Sequence, residues 1–310
     1  MLAGLLYLGG GLALSVASAL RRHTNEAPLR RGDVPVLGLL ILAGGVVGPV
    51  LMLVALQRSS ASAVSLLLNL EGPFTLALAA LVFSEHVGWR GVASLVAVVA
   101  GAVVLALPSG GLQLPLTGVL CAVGACLAWG LDNNLTRTLS LRDPLALVRA
   151  KTLGAGACTL ALARLTGQTL PALRTLVFAL VLGAASYGTS ILLDAYALRL
   201  LGAAREAAYF ATAPFLGALG AVVLLGEPLL ASTLLAGACM AVGVWLLLSE
   251  RHRHAHSHEA VAHEHRHTHD AHHQHRHAGP FTEPHSHPHQ HAPLTHDHPH
   301  VPDAHHHHRH

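Results

Sequence analysis

Charge is scarce before residue 250: residues 1–249 carry 14 Lys or Arg and 9 Asp or Glu, and Lys151 is the only lysine in the chain. Long uncharged runs replace the amphipathic patterning of a soluble domain. That excludes an ordinary water-soluble fold and points to an integral membrane protein. Cysteine is also sparse. Cys121, Cys126, Cys158 and Cys239 fall in apolar segments, without the close Cys and His grouping of a zinc site, and read as packing residues. The opening MLAGLLYLGGGLALSVASAL has no basic n-region and no cleavage site before Arg21, which favours a retained membrane helix over a removed signal peptide. The small basic surplus is placed in loops, where it sets orientation; no nucleic-acid partner is expected.

A bilayer core takes about 20 apolar residues per helix, because every backbone polar group must be paired inside the segment. Nine stretches qualify: 1–20, 34–56, 61–83, 91–107, 115–137, 144–164, 175–198, 203–225 and 231–249. Arg21, Arg22, Arg30, Arg31, Arg90, Arg137, Arg142, Arg199, Arg205, Arg251 and Arg253 fall on one side of the alternating helices, and Arg58, Arg164 and Arg174 on the other. This bias predicts a multi-pass protein of the plasma membrane (the inner membrane in bacteria), with the C-terminal tail in the cytoplasm.

The chain repeats itself. ALQRSSASAVSLLLNLEGPF from Ala55 aligns with YALRLLGAAREAAYFATAPF from Tyr196 at a shift of 141, pairing Arg58 with Arg199 and Pro73 with Pro214. Glu85 then pairs with Glu227, and Gly101 with Gly243, at a shift of 142. Arg58 and Arg199 fall on opposite sides, so the halves are inverted repeats. The expected division is 1–107, 115–249 and a tail, 250–310. The span 115–137 has no counterpart in the first half, so the first repeat is one helix short of a five-helix unit. Either the true start lies upstream, or this is a nine-helix variant.

LLNLEGPFTLALAALVFSEHVGWRG and AAYFATAPFLGALGAVVLLGEPLLAS resemble the repeat ends of the drug/metabolite transporter superfamily, EamA type. The resemblance covers residues 1–249 and is silent on the tail. It implies an all-α integral membrane protein built from inverted five-helix repeats around a central cavity. The implied activity is not enzymatic: alternating-access transport of small organic metabolites or drugs, often outward. In such proteins the absent first helix contributes to the cavity wall.

An ionisable group at mid-bilayer costs at least about 2.5–3.5 kcal/mol, so each one asks for a partner or a job. Glu71 lies near the centre of its span, close to Asn69, where Gly72 and Pro73 loosen the helix and free carbonyls beside the carboxylate. Asp132 and Lys151 lie at matching depths, which suggests a hairpin ion pair with Asn133, Asn134 and Arg149 nearby; structural and cavity-lining roles both stay open. Tyr187 and Tyr209 are deep enough to offer hydroxyls to a ligand. Glu71, Asn69, Asp132, Asn133, Lys151, Tyr187 and Tyr209 are therefore the substrate-site candidates. Asp194 reads as interfacial, Glu85 and Glu227 as helix caps, and Gly44, Gly48, Gly217 and Gly220 as packing residues.

After residue 250 come 24 of the 26 histidines, with prolines and almost no aliphatic residues. Such a segment cannot bury a core and is predicted to be disordered. Imidazole suits Zn, Ni, Co and Cu, which makes His252, His254, His256, His258, His263, His265, His267, His269, His272, His273, His275 and His277 candidate ligands of low specificity. No cofactor is required. Three functions compete: a metabolite exporter with a metal-responsive tail, a divalent-metal exporter, and a nontransporting anchor for a metal-storage tail. The lipid bilayer, a small solute and transition-metal ions are the expected partners, with room left for a homodimer.

Overall fold

The structure is a computed structural model that describes residues 1–21, 26–83, 87–107, 115–139, 142–201, 210–249, 252–258, 262–267, 285–290 and 294–300. The membrane part is built of α1 (Leu2–Leu20), α2 (Arg31–Arg58), α3 (Ala61–Leu67 running through Leu68–Leu70 into Glu71–Phe83), α4 (Trp89–Ala106) and α5 (Leu116–Thr138). It continues with α6 (Pro144–Leu165), α7 (Leu173–Gly183 through Ala184–Gly188 into Thr189–Leu201), α8 (Ala213–Leu225) and α9 (Ala231–Leu248). Among the described residues, eight of these helices are long and apolar enough to cross a membrane. The shorter α8 carries the C-terminal part of the span predicted over 203–225.

The packing is that of helices in lipid. Ala55, Ala122, Ala125, Ala155 and Ala236 are fully buried, whereas Leu81, Leu165 and Leu224 are more than four-fifths exposed. Lipid tails accept leucine as readily as a protein core does, so association falls to small residues that let backbones approach. Three helices are interrupted in mid-course: α2 by a π segment over Ile41–Val47, α7 by another over Ala184–Gly188, and α3 by a 3₁₀ turn over Leu68–Leu70.

The chain folds as two compact units. One contains Met1–Ile41, Thr136–Ala203 and Arg251–His310; the other contains Leu42–Leu135 and Ala204–Glu250. Each takes helices from both halves of the sequence, so compactness and repetition divide the chain differently.

In the first unit, α1 packs on α6 and α7 through its glycines. A Cβ on Gly9 would overlap the Leu180 carbonyl, one on Gly10 would lie 2.8 Å from Gly188 N, and one on Gly11 would lie 2.6 Å from Leu153 Cδ2. One end of the unit is ionic. Arg142 holds Asp33 through Nε at 2.9 Å and a terminal nitrogen at 3.1 Å. Arg21 donates to both oxygens of Asp143 at 3.2 and 3.3 Å, and Asp143 Oδ1 accepts from Leu145 N at 3.0 Å to cap α6.

In the second unit, α4 and α9 meet reciprocally. A Cβ on Gly101 would lie 2.7 Å from Met240 and 2.9 Å from Ala236 O; one on Gly243 would lie 2.6 Å from Val98 and 3.0 Å from Ser94 O. The repeat shift of 142 carries Ser94, Val98 and Gly101 onto Ala236, Met240 and Gly243, so the contacts exchange under it. Glu227 does not cap the helix that follows it. Its two carboxylate oxygens accept from Ala61 N at 2.7 Å and Ser62 N at 2.9 Å, while Ser60 Oγ takes Ala63 N at 3.3 Å. Three orphan amides of α3 are thereby satisfied.

The described parts of the tail are two antiparallel strand pairs. β1 (His252–His258) pairs antiparallel with β4 (Leu294–His300), and β2 (Ala262–His267) with β3 (His285–Gln290). Composition denies the segment a core, but ladder pairing draws on backbone groups, and the alternation of His with other residues matches the pleat.

Candidate functional site

The second unit gathers a polar cluster where α3 crosses α5. Glu71 opens the last piece of α3, directly after the 3₁₀ turn Leu68–Leu70, and Pro73 two residues on has no N–H to give the helix. Asn133 Nδ2 donates to Glu71 Oε1 at 2.8 Å and lies 3.4 Å from Thr75 Oγ1. Thr75 Oγ1 donates to the Glu71 carbonyl at 2.9 Å. Asn134 Nδ2 reaches Thr75 O at 3.0 Å and Gly130 O at 2.8 Å. A Cβ on Gly130 would lie 3.0 Å from Thr75 N, so its absence lets the helices approach closely enough for these bonds. Glu71 and Thr75 are four residues apart, as are Gly130 and Asn134, which places each pair on one helix face.

Two residues before Glu71, Asn69 is buried, 5% exposed. Its Nδ2 donates to Leu66 O at 3.0 Å and lies 3.9 Å from Met240 Sδ. Its Oδ1 meets no hydrogen-bond donor among the described residues. A buried acceptor left in that state costs about 1–3 kcal/mol, which a ligand N–H or a water would offset.

Asp132 looks elsewhere. It is 5% exposed, and its carboxyl sits against Gly44 in the π segment of α2, where any Cβ would overlap it. Trp129 Nε1 donates to Gly44 O at 3.2 Å, and a Cβ on Gly48 would lie 2.6 Å from that nitrogen. Gly44 and Gly48 thus do more than pack helix on helix: they admit an acid and an indole from α5.

Of the sequence candidates, Glu71, Asn69 and Asn133 come together, and Asp132 lies beside them in sequence but on another face of α5. Lys151 (7% exposed, on α6) and Tyr187 belong to the other unit. There the Tyr187 ring stands edge-on to Tyr7 at 4.8 Å and 72°. The Asp132–Lys151 ion pair would join residues of different units and stays a proposal. Tyr209 lies outside the described residues, as do His269, His272, His273, His275 and His277. Sequence reasoning misses Thr75, whose only signal is its place one turn after Glu71. Among the described residues of the helices, no three His, Cys, Asp or Glu gather as a metal ion would need.

The model of the EamA-like transporter family matches residues 1–107 and 116–249. The chain belongs to this family. An uncharacterized transporter of Methanothermobacter thermautotrophicus is 30% identical to this EamA-like transporter over 235 residues, 73% of this chain and 68% of the relative. A solved crystal structure superposes with a TM-score of 0.58 over 79% of this chain and 85% of that one; at 20% identity it shows a shared fold. The EamA-like transporter is therefore a multi-pass membrane protein, in contact with the bilayer along its apolar helices.

Proposed function

We propose that this EamA-like transporter moves small organic metabolites across the plasma membrane, outward, by alternating access, and that its histidine tail binds transition-metal ions in the cytoplasm. The observation that carries the transport reading is the Glu71–Asn133 hydrogen bond, 2.8 Å long, made beside a helix interruption. Interrupted helices are where transporters place substrate and ion sites, because broken turns free backbone groups at membrane depth. A carboxylate with amide neighbours suits a protonatable amine or an exchanged proton, and the idle Asn69 oxygen offers a further acceptor. The reciprocal Gly101 and Gly243 contacts support two related repeats meeting about a local two-fold axis. Such pairs of repeats rock against each other around a fixed site.

The test compares small solutes in the medium of cells expressing wild type or Glu71→Gln at equal membrane levels. At least one organic solute should accumulate outside the wild-type cells and not the mutant cells. Identical profiles would sink the reading. Zinc, nickel or cobalt efflux that needs Glu71 but survives removal of residues 251–310 would favour a divalent-cation exporter instead.

A further inference from the structure

The 3₁₀ turn of α3 hands its carbonyls to side chains. An unbroken α-helix would give Leu67 O the Glu71 amide, four residues on. Here that N–H donates instead to Leu68 O, three residues back. Leu66 O is met by Asn69 Nδ2 at 3.0 Å, and Leu67 O by the Cys126 thiol, whose Sγ lies 3.5 Å away. The Glu71 amide also faces that sulfur. Cys126 therefore stands in the opening between Leu67 O and Glu71 N, and a side chain inserted into the hydrogen-bond ladder is what breaks a helix.

The wedge is held from α5. Cys126 is fully buried, and Cys126, Gly130 and Asn133 follow one another at spacings of four and three residues, which places them on one face of that helix. The face meets α3 at three points: Cys126 at Leu67 O, Gly130 against Thr75 N, and Asn133 at the Glu71 carboxyl. The thiol and the partner of Glu71 thus belong to one uninterrupted stretch of helix. A 3₁₀ turn advances about 120° per residue against about 100° in an α-helix. Rewinding the three residues Leu68–Leu70 would therefore turn the Glu71 side chain through about 60° relative to the helix before it. Glu71 would then leave Asn133.

We propose that Cys126 is a positioning residue: its thiol donates to Leu67 O, keeps the turn of α3 from winding into α-helix, and so aims the Glu71 carboxyl at Asn133. The proposal rests on the reading of Glu71 as the transport site and adds what holds the acid in place. Packing alone asks for a small apolar side chain at this position. The carbonyl of Leu67 asks for a donor, because a buried backbone acceptor whose helical partner is turned away must be met by another group, and a thiol is a small, weak donor.

The experiment uses the full chain in detergent micelles, infrared spectroscopy and no ligand. With Cys121→Ala, Cys158→Ala and Cys239→Ala, Cys126 is the last thiol, and its S–H stretching band should lie below that of a thiol free in apolar solvent. The carboxyl band of Glu71 is the one lost in Glu71→Gln. Cys126→Ala, which deletes the donor, should shift that band to where Asn133→Ala puts it. Cys126→Ser, which keeps a donor of similar size, should leave the band at its wild-type position, whereas a packing role alone would favour alanine over serine. An S–H band at the free-thiol position, or a Glu71 band that Cys126→Ala does not move, would overturn the proposal. The thiol measurement leaves Cys126 unchanged, so it decides even where Cys126→Ala does not fold. A shifted Glu71 band together with exported solutes that Glu71→Gln leaves unaltered would sustain the positioning role and sink the transport reading.

Discussion

At the scale of residues, the Glu71 cluster separates charge from shape. Glu71→Gln keeps a hydrogen-bonding group opposite Asn133 while removing the ionisable carboxyl, so the fold should persist and transport fall. Asn133→Ala deletes the partner and leaves Glu71 in place. Leaving a buried hydrogen-bonding group without its partner costs about 1–3 kcal/mol, so we expect transport to drop about fivefold or more in each, with monodisperse protein in detergent. Transport by both variants at the wild-type rate would rule the cluster out. Glu227 gives a pH-dependent prediction outside the membrane. Burial pushes its carboxyl up, but the hydrogen bonds from Ser62 and Ala61 outweigh this and hold it below its usual 4.5. A lowered folded value means that the stabilisation is complete above the usual glutamate range and is lost as pH falls through the folded value. Protection of the Ala61 and Ser62 amides, relative to Glu227→Gln, should therefore be constant at neutral pH and vanish only below about 4.5. Glu71 was legible in the sequence because a carboxylate amid leucines is conspicuous. Thr75 was not, because a threonine in a membrane helix usually bonds its own backbone, and only the α5 crossing gives it a second partner. Glu227 was recognisable as a cap, but a carboxylate in a turn does not announce which helix end the fold brings to it.

At the scale of elements, eight of the nine expected spans were legible from apolar length alone, because the bilayer imposes that length on any helix that crosses it. The π segments of α2 and α7 were not. Interruptions of this kind arise where neighbouring elements press in, as the Trp129 and Asp132 side chains do on Gly44, and that pressure is tertiary. Two glycine substitutions distinguish contact from mere helix weakening. Gly220 in α8 has nothing within 4 Å of an added Cβ, so Gly220→Ala should leave stability unchanged or raise it by up to about 1 kcal/mol through helix propensity. Gly9→Ala places the same methyl on the Leu180 carbonyl and should cost about 1–3 kcal/mol as overpacking. Thermal unfolding in detergent should order them Gly220→Ala, wild type, Gly9→Ala. The reverse order would mean that α1 and α7 do not meet through Gly9.

At the scale of the whole molecule, orientation decides which compartment the tail and each loop meet. The loops around Arg21 and Arg142 come together at one end of the first unit, linked by Arg142 to Asp33 and by Arg21 to Asp143. Although these arginines are paired, orientation follows lysine and arginine positions rather than net charge, since acidic residues contribute little to it. Eleven arginines against three, read from the loops, therefore predict that this end and the tail lie in the cytoplasm even though the carboxylates compensate locally. Protease added outside intact spheroplasts should leave residues 251–310 attached, and protease added to inverted vesicles should remove them within the same time. A tail cleaved in spheroplasts would reverse the whole topology, place the histidines in an extracytoplasmic space and invert the direction of transport proposed for the Glu71 site.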